Sequence, residues 1–328
     1  MGNYYLVRLT LEGPISTPLH SGTIFGHLCW AMRHIDGEDA LSRWLAQQAH
    51  DPLLVSDGLP AGCLPRPLLA PKTIGLALKP GEVKKLRKTP FLPLTDFLEL
   101  RSGLDEERLI ERLRLGFAEQ GECRRRRPDR LIGVRVAHNT INRHTARTPD
   151  SGGLYFTDEQ WPAAAGAEFD VYVHTSMPAP KLGELFSLVG EWGFGKDSST
   201  GRGRFRVEIL SPAGGLFDFP EANRRLSLSH GVLTENMADP RYRLETHYGK
   251  LGSLWANTKV HFSPGGGEGG RLKAAGPFKH PITLLKPGAT FRPVDGGPYG
   301  CMLAGVHPAK KEVRHNALHL TVPYRELE

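Results

Sequence analysis

Three short segments of period-two alternation, with an amphipathic helix after the first and another between the second and third, most limit what this 328-residue chain can fold into. Tyr5, Val7, Leu9 and Leu11 alternate with Leu6, Arg8, Thr10 and Glu12, the signature of a strand. Past the Gly13-Pro14 break, Ser21 is placed to cap a helix with Ile24, Phe25, Leu28, Met32 and Ile35 on one face. A second helical piece over Ala40–Gln48 and a short strand at Leu53–Ser56 follow. Regular order resumes at Phe169, Val171 and Val173, which alternate with Asp170, Tyr172 and His174. Leu182, Leu185, Phe186 and Val189 then mark a helix, and Phe205, Val207 and Ile209 a further strand. Strand, helix, strand, insertion, strand, helix, strand is the order of a ferredoxin-like split unit, an α+β architecture. Its helices cover one sheet face and leave the other for RNA or another domain, with Arg204 and Arg206 pointing away from the helices.

This order places an N-terminal domain at residues 1–212, with an insertion at about 60–160 that carries a helix near Leu104–Phe117. Residues 213–328 read as a second, β-rich unit. There Ile282–Leu285 ends at Lys286-Pro287-Gly288, and Leu318, Leu320 and Val322 alternate with His319 and Thr321. The 26 prolines and 38 glycines agree with many turns between short elements.

Charge points to a partner. The net charge is +7, yet residues 72–88 contribute +5 and residues 121–147 contribute +6, leaving the remainder at −4. The second zone holds Arg124, Arg125, Arg126, Arg127, Arg130, Arg135, Arg143 and Arg147. Cationic charge concentrated on a slightly acidic body is the footprint of a polyanion; the plain alternative is a solvated charged loop. Within this zone His138, Asn142 and Arg143 offer imidazole, amide and guanidinium groups to a single strand, although Tyr155 and Phe156 are the nearest stacking platforms.

The stretch Gly190–Arg206 combines five glycines with Lys196, Arg202, Arg204 and Arg206. Glycines such as Gly195 are expected to leave backbone amides uncovered for phosphate, helped by Ser198, Ser199 and Thr200. A structural glycine turn is the alternative. Gly190–Lys196 satisfies G-x-x-x-x-G-K, but Asp197 stands where a magnesium-binding hydroxyl is needed and the loop follows a helix, which excludes a P-loop ATPase. His20, Ser21 and Thr23 at the start of the first helix form a second candidate anion site, or a simple cap.

No catalytic constellation stands out. Cys29, Cys63, Cys123 and Cys301 lack C-x-x-C spacing and read as reduced thiols. His27 and His34 read as satisfied edge histidines, and His307, His315 and His319 as surface or packing histidines without a metal. No cofactor is expected. The absence of a leader and of a bilayer-length apolar run leads to the expectation of a cytoplasmic protein without membrane association.

Several motifs occur together and in order: His20–Gly26, Asn139–Thr145 followed by Gly153–Tyr155, Gly193–Gly203, and Pro277–Ile282 with Gly288–Phe291. With these the chain resembles RAMP proteins of type III CRISPR effectors, and among them the fourth subunit of the Csm complex. One departure is Gly22, where the family often has an acidic residue. The resemblance implies two RRM-like (ferredoxin-like) domains, the C-terminal one degenerate, with the insertion forming a thumb. It further implies a non-catalytic subunit that caps the 5′ repeat-derived tag of crRNA. Its expected neighbours are a large polymerase-like subunit and a backbone RAMP subunit. On this reading Lys196, Arg202, Arg204 and Ser198–Thr200 hold tag phosphates, His20, Ser21 and Thr23 line a neighbouring anion pocket, and Asn142 and Arg143 anchor the thumb. The rival reading is a metal-independent endoribonuclease of repeat RNA, with His20 or His138 activating a 2′-hydroxyl and Lys196 stabilising developing charge. A third is a protein whose basic loops bind an acidic protein partner.

Overall fold

The structure, a computed structural model, describes residues 2–72, 75, 80–119, 131–149, 153–163, 167–252 and 277–327. The chain opens with strand β1 (Asn3–Leu11), helices α1 (Ser21–Asp36) and α2 (Glu38–Gln47), and short strands β2 (Leu54–Val55) and β3 (Leu59–Pro60). The insertion adds β4 (Cys63–Pro65), α3 (Pro80–Arg87), β5 (Phe91–Pro93), α4 (Leu94–Leu100) and α5 (Glu106–Glu119). It ends in a two-stranded ribbon, β6 (Leu131–Asn139) and β7 (Leu154–Pro162). Then come β8 (Glu168–Thr175), α6 (Ala179–Trp192) and β9 (Phe205–Leu210).

β1 lies at the centre of the first sheet, antiparallel to β8 on one side and β9 on the other, with β2 and β3 pairing the far edge of β8. In this register Leu9 stands opposite both Phe169 and Val207, so alternate residues of three strands share a face. Val7, Leu9, Leu11, Val171, Val173 and Phe205 of that face pack on Ile24, Phe25 and Leu28 of α1 and on Leu182, Leu185 and Phe186 of α6. The alternation seen in the sequence is thus the pleat of a sheet with helices on one side.

The other side of this sheet is also covered. Leu6 and Tyr172 join Leu59 and Leu64, Phe97, Leu104 and Leu109 of the insertion, and Leu226, Leu320 and Val322 of the C-terminal region in a second buried cluster. Of the two occupants expected for that face, protein holds it. For this reason β8 is buried on both faces, with Asp170 and Tyr172 as inaccessible as Val171. Asp170 accepts hydrogen bonds from Arg8 Nε at 2.9 Å and the Gly62 amide at 2.8 Å, which compensates its burial.

The C-terminal region contains β10 (Arg224–Ser227), β11 (Met237–Arg241), β12 (Leu244–His247), β13 (Ile282–Leu285), β14 (Thr290–Pro293), β15 (Tyr299–Leu303), β16 (His315–His319) and β17 (Thr321–Tyr324). A four-stranded antiparallel sheet runs β11-β14-β10-β17, and the pairs β12-β13 and β15-β16 form ribbons. No helix occurs among the described residues of this region. The single alternating strand expected around Leu318–Val322 is two: β16 pairs β15, β17 pairs β10, and both are wholly buried. Ser21 is the first residue of α1 rather than its cap, and His20 holds the cap position without a side-chain hydrogen bond. Among the described residues no helix is long and apolar enough to cross a membrane. Burial pushes the Cys29 thiol up to about 12, so that cysteine is chemically quiet.

Since the second cluster joins both ends of the chain, truncating it should destabilise the molecule as one unit. Leu226→Ala is expected to lower stability by roughly 2–5 kcal/mol in a single thermal transition. A retained wild-type transition alongside a lowered one would show that the two regions unfold independently.

Candidate nucleic-acid interface

α6 ends at Gly193, and the chain turns through Gly195, Gly201 and Gly203, all with positive φ. Phe194 is buried, and its amide donates to the Gly203 carbonyl at 2.8 Å, closing the loop. The amides expected to be open are used internally. Gly203 N–H donates to Pro14 O at 2.8 Å, Lys196 N–H to Thr17 Oγ1 at 2.8 Å, and Gly195 N–H to His27 Nε2 at 3.1 Å. That corrects the role of these glycines: they allow backbone to approach backbone. A Cβ on Gly203 would collide with the Phe194 main chain, whereas Gly201 faces open space. The side chains, not the amides, face outwards. Lys196, Ser199, Thr200 and Arg204 are exposed, and Ser198 is half-buried. The Lys196 ammonium lies 3.7 Å from the Asp197 carboxylate.

The segment Pro14–Thr17 that receives the loop also receives the ribbon. Ile15 and Gln160 exchange amide-to-carbonyl hydrogen bonds of 2.9 Å in both directions. Beside them Glu159, fully buried, accepts Arg202 Nε at 2.9 Å through one oxygen and Trp161 Nε1 at 3.0 Å through the other. Arg202 therefore joins loop to ribbon, and its Nη1 also donates to Thr200 O at 2.8 Å. His138 Nε2 lies 2.8 Å from Thr157 Oγ1 and 4.0 Å from Glu159, and its ring stacks on Tyr155 with centroids 5.1 Å apart. On the same ribbon the Arg135 guanidinium sits over Phe156 at 5.0 Å. Tyr155 and Phe156 are about half exposed, each with one ring partner, His138 and Arg135 respectively. At the ribbon tip the Asn142 amide donates to Arg147 O and its Oδ1 accepts His144 N–H, so Asn142 shapes the turn that displays the exposed Arg143. Arg124, Arg125 and Arg126 lie outside the described residues.

The pocket expected at His20, Ser21 and Thr23 is filled from within. Asp57, buried, accepts the Ser21 amide at 3.0 Å, the His230 amide at 3.1 Å and His230 Nδ1 at 2.6 Å. Its carboxylate compensates the positive end of α1, the place expected for a phosphate, and Ser21 Oγ donates to His230 O at 3.2 Å. Burial disfavours both charges of the Asp57–His230 pair. Their mutual attraction outweighs it, holding Asp57 below the usual carboxylate range and His230 above the usual imidazole range. His20 packs on His230 with ring centroids 4.1 Å apart, and burial keeps it neutral-leaning. Gly22 has no room for a side chain, since the His315 ring lies 2.5 Å from where its Cβ would be.

Sequence reasoning passed over Thr17, Glu159, Asp57 and His230, and read His27 as a satisfied edge residue without seeing its partner. Pro14–Thr17 carries no motif of its own. Asp57 and His230 are 173 positions apart, and no local pattern links them.

No family model matches this chain, and no curated protein is similar to it in sequence. Solved structures are similar in fold. A chain of the Csm1–Csm4 cassette in complex with one ATP matches 99% of this chain and 100% of its own length, at 16% identity and TM-score 0.56. The same cassette with AMPPNP matches at 17% identity and TM-score 0.55, over 99% of this chain and 100% of the other. A chain of the Csm3–Csm4 subcomplex in the type III-A CRISPR-Cas interference complex matches over 98% and 99%, at 14% identity and TM-score 0.55. The fold is shared with a type III effector subunit. Csm4 is the component common to these assemblies.

Two outcomes test this geometry. Gly203→Ala should cost about 2 kcal/mol or more, from left-handed backbone plus a main-chain collision, and Gly201→Ala nearer 1 kcal/mol from backbone alone. Equal losses in chemical denaturation would refute the close approach. His27, pushed down to about 4 by burial, takes up its proton in the unfolded chain near pH 6.5 but in the folded protein only near 4. Unfolding between these values therefore binds a proton, and stability falls as pH drops through that window. His27→Gln keeps an acceptor for Gly195 without titrating, so its stability should fall less steeply from pH 6.5 to 4. An unchanged slope would exclude His27 as a source.

Proposed function

We propose that this chain is the non-catalytic RAMP subunit of a Csm-type CRISPR ribonucleoprotein, binding and capping the 5′ repeat-derived tag of crRNA. It would link the large polymerase-like subunit to the RAMP backbone in antiviral defence. Its N-terminal domain is read as ferredoxin-like, with the β6–β7 ribbon as thumb, and residues 213–328 as a degenerate second copy. The observation that carries this reading is the junction at Glu159 and Pro14–Thr17, which fixes the exposed cations of the glycine loop beside an aromatic, arginine-bearing ribbon. Phosphates would meet Lys196, Arg204 and the Ser198–Thr200 turn, and unstacked bases would meet Tyr155 and Phe156. Arg202 holds the two parts in register. Support for the assembly comes from the likeness to chains of the Csm1–Csm4 and Csm3–Csm4 structures.

Such binding is dominated by counterion release. Replacing Lys196 by Ala should reduce the slope of log K against log salt for tag RNA by about 0.7, one single-strand phosphate contact. Tyr155→Ala should weaken binding by about 1–3 kcal/mol without changing the slope. Unchanged affinity in both variants would remove this surface from the interface. Cyclic-phosphate ends generated from repeat RNA in EDTA, and abolished by His20→Ala, would favour a ribonuclease instead.

A further inference from the structure

A group of titratable side chains at the start of α1 is not used by the RNA reading. His20 precedes α1, His230 follows β10, and Glu245 lies on β12. His20 Nε2 is 3.8 Å from Glu245 Oε1, and His230 Nε2 is 3.9 Å from Glu245 Oε2. The His230 side chain is only 4% exposed, and its Nε2 has no hydrogen-bond partner. A buried imidazole nitrogen without a partner is uncommon, because it has lost water without compensation. This nitrogen faces a carboxylate oxygen and lies beside a second imidazole.

We infer that His20 Nε2, His230 Nε2 and Glu245 form a binding site for a divalent transition-metal ion of the zinc class. Two imidazoles and one carboxylate are a donor set such ions accept, with a fourth position left for water. Donors about 2.0–2.2 Å from a tetrahedral ion stand roughly 3.3–3.6 Å apart. The two imidazole nitrogens approach different oxygens of Glu245, at 3.8 and 3.9 Å, so the carboxylate, 32% exposed, would have to rotate to offer an ion beside both rings a single oxygen. Hard, oxygen-seeking ions such as magnesium would not choose two nitrogens.

Asp57 supplies the supporting contact. His20, Asp57 and His230 bring their potential ligand atoms within 4.8 Å of one another. The Asp57 oxygens, however, already accept two amides and His230 Nδ1. Asp57 is therefore a positioning residue, which fixes the proton on Nδ1 and turns Nε2 towards the ion, the carboxylate–histidine–metal arrangement of many metalloproteins. Lys286 is the competitor. Its ammonium pairs with Glu245 Oε2 at 2.5 Å, on a side chain 43% exposed that can swing into solvent when an ion arrives. The bound ion would clamp the start of α1 to two segments of the C-terminal region.

The test uses the tag-free full chain, stripped by chelator and dialysed, then titrated with cobalt(II) followed by visible absorption and with zinc(II) followed by elemental analysis. One equivalent is expected, with the intense bands of tetrahedral cobalt. Glu245→Gln and His20→Ala should abolish stoichiometric binding, Asp57→Asn should weaken it by about 10–100-fold, and Lys286→Met should tighten it. His144→Ala, on the exposed ribbon tip, should bind as wild type. Glu245 is partly exposed, so Glu245→Gln should fold normally even if Asp57→Asn does not, and a thermal melt verifies this. Failure of the wild type to hold one equivalent, or an unchanged affinity in Glu245→Gln, overturns the site. The RNA salt slope of Glu245→Gln should equal that of wild type, so this result stands or falls apart from tag binding.

Discussion

A buried carboxylate ties the start of α1 to the C-terminal region. Asp57 sits between β2 and β3, accepts the first amide of α1, and holds both the amide and the ring of His230 from the C-terminal region. A charge at such depth is tolerable only when its oxygens are satisfied and an opposite charge is near. Three hydrogen bonds and the raised pKa of His230 meet that requirement. Removing either partner would strand the other, so the pair fixes how helix and C-terminal region meet.

From this joint follows the division of labour on the surface. The positive end of α1 faces Asp57, so a polyanion would have to be attracted by cationic side chains instead. Those cations lie elsewhere, on the glycine loop and the ribbon. Both are pinned to the short segment after β1, through the Pro14, Ile15 and Thr17 contacts. Buried Glu159 adds a second tie through Arg202. Order in the loop therefore comes from satisfied hydrogen bonds, and its charge remains available to a ligand.

Much of the first sheet was legible in the sequence because alternation and helical periodicity report local geometry. β1, α1, α2, α5, β8, α6 and β9 all lie within a few residues of where the pattern placed them. The double-sided burial of β8 was not legible. Asp170 and Tyr172 look like solvent-facing positions, and only the arrival of the insertion and the C-terminal region covers them. The same holds at Leu318–Val322, where one alternating run is cut into strands of two different sheets because β15 and β10 claim its halves. Lys196, Arg204 and Arg143 stand out in the sequence by charge, and the structure leaves their side chains exposed. Ser21 was misread because a free helix terminus and one facing a buried carboxylate have the same sequence.

By itself the sequence determined the periodic elements, their order, the basic zones and the glycine-rich turn, since each is encoded by neighbours along the chain. Only the tertiary structure decided which polar groups are open and which are consumed. Glycine amides at Gly195 and Gly203, the guanidinium of Arg202 and the start of α1 all find partners distant in sequence. Whether a donor is free for a ligand depends on who else can reach it, and reach is set by packing in three dimensions.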